Sequence, residues 1–156
     1  WDMSKGQFKP YLQAGIFLSI QEGVHIIFRP IGGKVADKKG YGVALFLGLV
    51  MLAVGLATLP LMAELMILSA AIILGFAQAM VLPASVALLA AETQTGHRGA
   101  GMGFYGALRN MGKVGGPVIT GALLTAFTFS SVFYGYAVLV AFIAIAVRMR
   151  LTYPII

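Results

Sequence analysis

Arg29–Gly42, RPIGGKVADKKGYG, is the one dense patch of charge and glycine between two long apolar runs. Leu12–Phe28 precedes it and Val43–Leu59 follows it. Gly32, Gly33 and Gly40, set among one acid and three lysines, predict a tight, solvent-facing turn between two membrane spans. Lysines at such a turn hold it on the cytoplasmic side, because basic residues are retained there.

Composition supports the membrane reading. The 156 residues are 60% hydrophobic and only 10% charged, with a mean hydropathy of +0.93. Soluble domains carry about 25% charged residues, so the excess of apolar surface is expected to face lipid. The net charge of +6 would suggest nucleic acid in a soluble protein. Here the basic residues gather at span ends, so topology explains them better and no nucleic-acid partner is expected. Lack of cysteine excludes thiol chemistry and thiolate metal sites. The opening WDMSKGQFK has no signal-peptide pattern and reads as the middle of a longer protein.

Backbone groups left unpaired in hydrocarbon are too expensive to tolerate, so a span is a helix or part of a closed barrel. The apolar runs are continuous rather than alternating, which selects helices. A span needs roughly 20 residues, and five fit: about 11–29, 41–59, 65–91, 100–125 and 131–147. The second ends at Pro60, and the polar segment Glu92–Gly99 divides the third from the fourth. Lys34, Lys38, Lys39, Arg98, Arg148 and Arg150 fall on one side of this arrangement, against Lys5 and Lys9 on the other. The N-terminus is therefore expected outside and the C-terminus in the cytoplasm. An odd number of spans also suggests a further helix before Trp1, since repeat-built bundles come in even sets.

At this point the sequence resembles a known family. Gly33-Lys34-Val35-Ala36-Asp37-Lys38-Lys39-Gly40 is similar to the G-x-x-x-D-(R/K)-x-G signature of the major facilitator superfamily. In that family the signature joins the second and third helices of each six-helix half. The two basic residues that usually follow are replaced by Tyr41 and Gly42. The fourth helix carries a second match: Gly103, Gly112, Gly116-Pro117 and Gly121 keep the spacing G-x8-G-x3-G-P-x2-G-G, with Thr120 at one glycine position. That pattern marks the family's fifth helix, especially in antiporters, with weaker versions in the eleventh. In the third helix Ala71 stands where a first-half transporter would carry an arginine four residues before Gly75.

The resemblance implies an all-α integral membrane protein whose residues 1–156 make five helices of a six-helix half-bundle. The missing arginine and altered loop tail are closer to helices eight to twelve; the glycine pattern keeps helices two to six as the alternative. A half alone is not a complete transporter, because the family's cavity lies between two halves that rock against each other. The implied partners are the lipid bilayer, the missing half or another membrane subunit, a small solute and, for a coupled carrier, protons. The implied location is a bacterial or archaeal plasma membrane.

Polar residues inside spans are the local candidates for chemistry, since a charge at mid-membrane costs several kcal/mol on insertion scales. Glu22, His25 and Arg29 are spaced i, i+3, i+7 on one face of the first helix. That face is expected to look into the bundle or a water-filled cavity. A carboxylate in hydrocarbon binds its proton more tightly and histidine titrates near neutrality, so such a pair can hold or pass protons. An ion pair that only locks packing is the competing reading, and Arg29 is placed to snorkel to the interface.

Gln78 and Ser85 on the third helix, and Arg109, Asn110 and Lys113 on the fourth, are further cavity candidates. Cavity lining and helix-to-helix hydrogen bonding are both open for them. Gly33, Asp37, Lys38 and Gly40 would form a gating loop by the resemblance, with Asp37 capping or pairing with a neighbouring helix. Gly103, Gly112, Gly116, Pro117 and Gly121 are expected to serve close helix packing. Tyr134 and Tyr136 read as interfacial anchors. There is no metal-ligand spacing, dinucleotide or phosphate loop, and no nucleophile–base pair, so no cofactor and no enzyme activity are expected. Two functions remain: secondary transport of a small solute as part of a permease, or a non-transporting half-length subunit that anchors a complex.

Overall fold

The computed structural model describes residues 8–61, 64–93 and 95–152. Five helices follow one another: α1 (Phe8–Lys39), α2 (Tyr41–Thr58), α3 (Glu64–Glu92), α4 (Arg98–Ala126) and α5 (Phe129–Thr152). Short 3₁₀ turns at Leu59–Leu61 and Thr95–His97 end α2 and lead into α4. No strand occurs among the described residues. Lys5 lies outside them.

The opening stretch departs from expectation. Arg29–Lys39 is the end of α1, and the turn shrinks to Gly40. Gly40 has φ 91° and ψ 144°, a backbone conformation that a Cβ opposes. Packing explains why α1 does not stop at Arg29. Gly32 lies directly against the Ala79 carbonyl of α3, and Ala36 packs with Ala44 and Ala84 in a buried cluster. Tertiary contact on one face outweighs the weak helix propensity of Gly32 and Gly33. Lys38 and Lys39 in the last turn add a favourable interaction with the helix dipole. At 1.5 Å per residue α1 is about 48 Å long, well beyond a hydrocarbon core of roughly 30 Å.

Small residues set how the helices pack. A Cβ on Gly75 would stand 2.6 Å from the Gln21 carbonyl oxygen and 2.8 Å from Val24 Cβ. Gly48 meets Val81 in the same way, and Gly55 meets Leu74. These contacts fix the sense of each pair: α1 and α3 run parallel, and α2 runs antiparallel to α3. Ala70, Ala71, Ala77, Ala79 and Ala84 of α3 are all buried, so this helix forms the centre between α1 and α2. Close approach of small residues is the usual basis of helix packing in lipid, where hydrophobicity supplies little drive. Phe28 and Phe76 lie tilted across the α1–α3 contact with centroids 4.1 Å apart. On the far side α5 packs on α2 through Val132, Ala137 and Ala144, and the Arg148 guanidinium lies 5.8 Å from the Phe46 ring centre.

α4 stands apart. It has no buried residue and touches the bundle in few places. Gly101 lies against Thr93 near its start, and near its end Thr120 Oγ1 lies 3.0 Å from the Tyr136 hydroxyl of α5.

Tyr41–Leu61, Leu68–Glu92 and Phe129–Arg150 are long and apolar enough to cross a membrane. α1 and α4, with 32 and 29 residues, have the length, but their polar residues keep them from qualifying by composition.

Candidate functional site

The polar face of α1 divides on folding. α1 meets α3 along Gln21, Val24, Phe28 and Gly32, and His25 sits at the edge of that contact. The His25 side chain is only 9% exposed, whereas that of Glu22 is 61% exposed. Arg29 is exposed as well. The expected single face is thus split by one step around the helix.

His25 Nδ1 and Glu22 Oε2 lie 3.2 Å apart. An ionised carboxylate can only accept, so Nδ1–H donates to Glu22 in that state. Nε2, at the other side of the ring, is buried and has no hydrogen-bond partner among the described residues. A buried polar atom without a partner carries a desolvation penalty. The geometry thus joins an open carboxylate to a closed imidazole through one hydrogen bond.

The other candidates do not gather round it. Gln78 is half-buried on α3, and Ser85 Oγ donates to the Val81 carbonyl of its own helix at 2.7 Å. Arg109, Asn110 and Lys113 are exposed on α4, which makes no contact with α1 among the described residues. Gly33 is helical with open space beside it, Asp37 and Lys38 are exposed on the last turn of α1, and Gly40 alone makes the turn. Asp37 does not cap α2, which begins at Gly40 with no side-chain cap. Gly103, Gly112, Gly116 and Gly121 have nothing within 4 Å of a notional Cβ. The close-packing glycines within this chain are instead Gly32, Gly48, Gly55 and Gly75.

Three features escaped sequence reasoning. Tyr136 reaches across to Thr120 and ties α5 to α4, while Tyr134 is exposed. The available signal was Thr120 itself, a hydroxyl at a glycine position of the repeated pattern. Arg148 rests on Phe46, an aromatic contact that an eleven-residue charge census does not reveal. A groove of about 440 Å³ between α3 and α4 is lined by Ser85, Leu89, Glu92, Tyr105 and Leu108, and floored by Leu45 of α2. Glu92, expected in a polar loop, ends α3 at that groove.

The sequence profile described as Major Facilitator Superfamily matches residues 5–154. A comparison with curated proteins returned no match. With nearly all of its length covered, the chain belongs to the major facilitator superfamily, a family of all-α membrane transporters.

Proposed function

We propose that this member of the superfamily works in secondary transport of a small solute, as five helices of one half-bundle, with proton movement at Glu22 and His25 coupled to solute movement. The hydrogen-bonded pair with one open and one buried member carries this reading. Proton uptake changes the charge of the pair, and with it the preference of this part of α1 for a wet or a dry setting. A half-bundle that rocks between two states converts such a preference into alternating access.

Gln78, Asn110 and Lys113 are the cavity residues in this scheme, and the charged end of α1 with its Gly40 hinge is the gate, through Gly33, Asp37 and Lys38. The open glycine face of α4 receives a helix from the complementary half. Helices eight to twelve fit the altered signatures better than helices two to six. The location is a bacterial or archaeal plasma membrane, with the N-terminus outside.

The test is uptake of a mixed set of small solutes into proteoliposomes by the full transporter that carries this chain, with and without an imposed pH gradient. Glu22→Gln keeps size and hydrogen bonding but removes titration. It should lose gradient-driven accumulation and keep downhill exchange. Accumulation at the wild-type level by this variant would remove Glu22 from coupling. No uptake by the wild-type protein would favour the second reading, a non-transporting subunit whose exposed α4 face docks another membrane protein.

A further inference from the structure

Two of the three basic residues of α4, Arg109 and Lys113, lie inside the helix with no ion-pair partner among the described residues. Arg109 and Lys113 are four residues apart and therefore one turn apart on one face, with Asn110 beside them. All three are exposed. Neither cation has an acidic neighbour within ion-pair distance among the described residues. Glu92 lines the groove with Phe104, Tyr105 and Leu108, and no ion pair joins it to Arg109 or Lys113 among the described residues. α1, which carries Glu22, does not touch α4 among the described residues.

Depth makes this pair unusual. Lys113 stands at the middle of α4 (Arg98–Ala126), so in a span it lies roughly 15 Å from either face of the hydrocarbon core. Snorkelling suits Arg109 better than Lys113, because it needs a nearby helix end. Like charges one turn apart also repel. Lipid is an unfavourable setting for this face, and intramembrane cations characteristically face a cavity or an opposite charge. The opposite side of α4 carries Met111 and Val118, apolar and exposed. Amphipathic in this way, the helix presents lipid with one side and turns its cations to the other. Beside the polar face, nothing stands within 4 Å of a notional Cβ on Gly106, one turn before Asn110.

We infer that Arg109 and Lys113, with Asn110, form an anion-binding wall of the transport cavity, and that the solute is a small carboxylate or phosphate. This rests on the transport reading and names its substrate class. A guanidinium offers paired N–H donors matched to carboxylate or phosphate oxygens, and an ammonium adds a compact charge. The Asn110 amide supplies one more donor or acceptor for the neutral part of the solute. An anion between the two cations removes their mutual repulsion without requiring an acid on another helix.

The experiment offers the full transporter, in proteoliposomes, a mixture of succinate, glycerol 3-phosphate, inorganic phosphate, glucose, glycerol and putrescine. Accumulated solutes should be anions only. Lys113→Gln and Arg109→Gln should each raise KM for the accumulated anion about tenfold with kcat held, the mark of lost ground-state binding. Lys113→Arg should stay near the wild-type KM. Folded yield is measured for each variant by size-exclusion chromatography. Accumulation of glucose, glycerol or putrescine without the anions would overturn the inference and leave transport standing. Anion uptake with unchanged KM in both Gln variants would overturn it as well. So would a loss of folded yield with normal KM in the survivors, which assigns the cations to a protein carboxylate. Uptake of no probe removes the transport reading and this inference together.

Discussion

His25 is the residue at which the molecule's polar and apolar requirements conflict. Its ring is buried and one nitrogen is bonded to Glu22, yet Nε2 has no hydrogen-bond partner among the described residues. Replacing an unsatisfied buried polar group by an apolar one of similar shape is neutral or stabilising. His25→Phe should therefore keep or raise the thermal unfolding temperature in detergent. His25→Ala, which leaves a cavity against α3, should lower stability by about 2–5 kcal/mol, the range for truncating a large buried side chain. A lower unfolding temperature for the Phe variant would show that Nε2 does have a partner in the assembled protein. Glu22→Gln should unfold like the wild type, because an ion pair with one exposed member contributes about 0–1 kcal/mol. The i, i+3 spacing of the pair was legible in the sequence. The difference in burial was not, because it depends on where Gly75 of α3 meets α1 around Gln21 and Val24.

At the scale of single helices, the neighbours Gly32 and Gly33 set a sharper test. Gly32 presses on the backbone of α3 at Ala79, whereas Gly33 faces open space within a regular helix. Gly32→Val should destabilise the protein by about 1–3 kcal/mol, the usual range for overpacking. Gly33→Ala should stabilise it by up to about 1 kcal/mol through helix propensity alone. Gly40→Ala should cost about 1–3 kcal/mol, since φ 91° with ψ 144° belongs almost entirely to glycine. Chemical denaturation followed by circular dichroism ranks the three. Equal effects at Gly32 and Gly33 would mean that α1 does not pack on α3 at this height. Apolar runs placed the starts of α2, α3 and α5 within two residues of where they lie, and the polar segment Glu92–Gly99 did the same for α4. It stopped α1 ten residues early, at Arg29 rather than Lys39. Glycine and proline were read there as a turn, while the packing of Gly32 and Ala36 that keeps the helix going is a tertiary fact.

For the whole molecule, α4 and the order of the helices carry the remaining expectations. The glycine pattern of α4 was legible as a pattern, but its partner could not be, and Gly103, Gly112, Gly116 and Gly121 meet none among the described residues. Gly116→Leu should accordingly leave the fold of α1, α2, α3 and α5 intact and lower the yield of the complete transporter, measured by size-exclusion chromatography; normal yield would mean that this glycine faces lipid. Orientation follows from the sense of the helices. α1 and α3 run parallel, and α2 runs antiparallel to α3 on its other side, as the contacts Gly75–Gln21, Gly32–Ala79 and Gly55–Leu74 require. If α4 and α5 continue the reversal, Lys34, Lys38, Lys39, His97, Arg98, Arg148 and Arg150 gather at one end of the molecule. Arg148 beside Phe46 near the start of α2 agrees with this for α5. A basic end of this kind is retained in the cytoplasm, so Lys38 and His97 should face inward and Lys5 outward. The chain has no cysteine, so Lys5→Cys, Lys38→Cys and His97→Cys each introduce a single thiol, read in intact cells with a membrane-impermeant maleimide. Labelling of the position 5 variant alone is the expected result, with the other two reacting only after the membrane is opened. Labelling at positions 38 and 97 but not 5 would invert the orientation, and labelling at 38 without 97 would break the parallel course of α1 and α3 across the membrane.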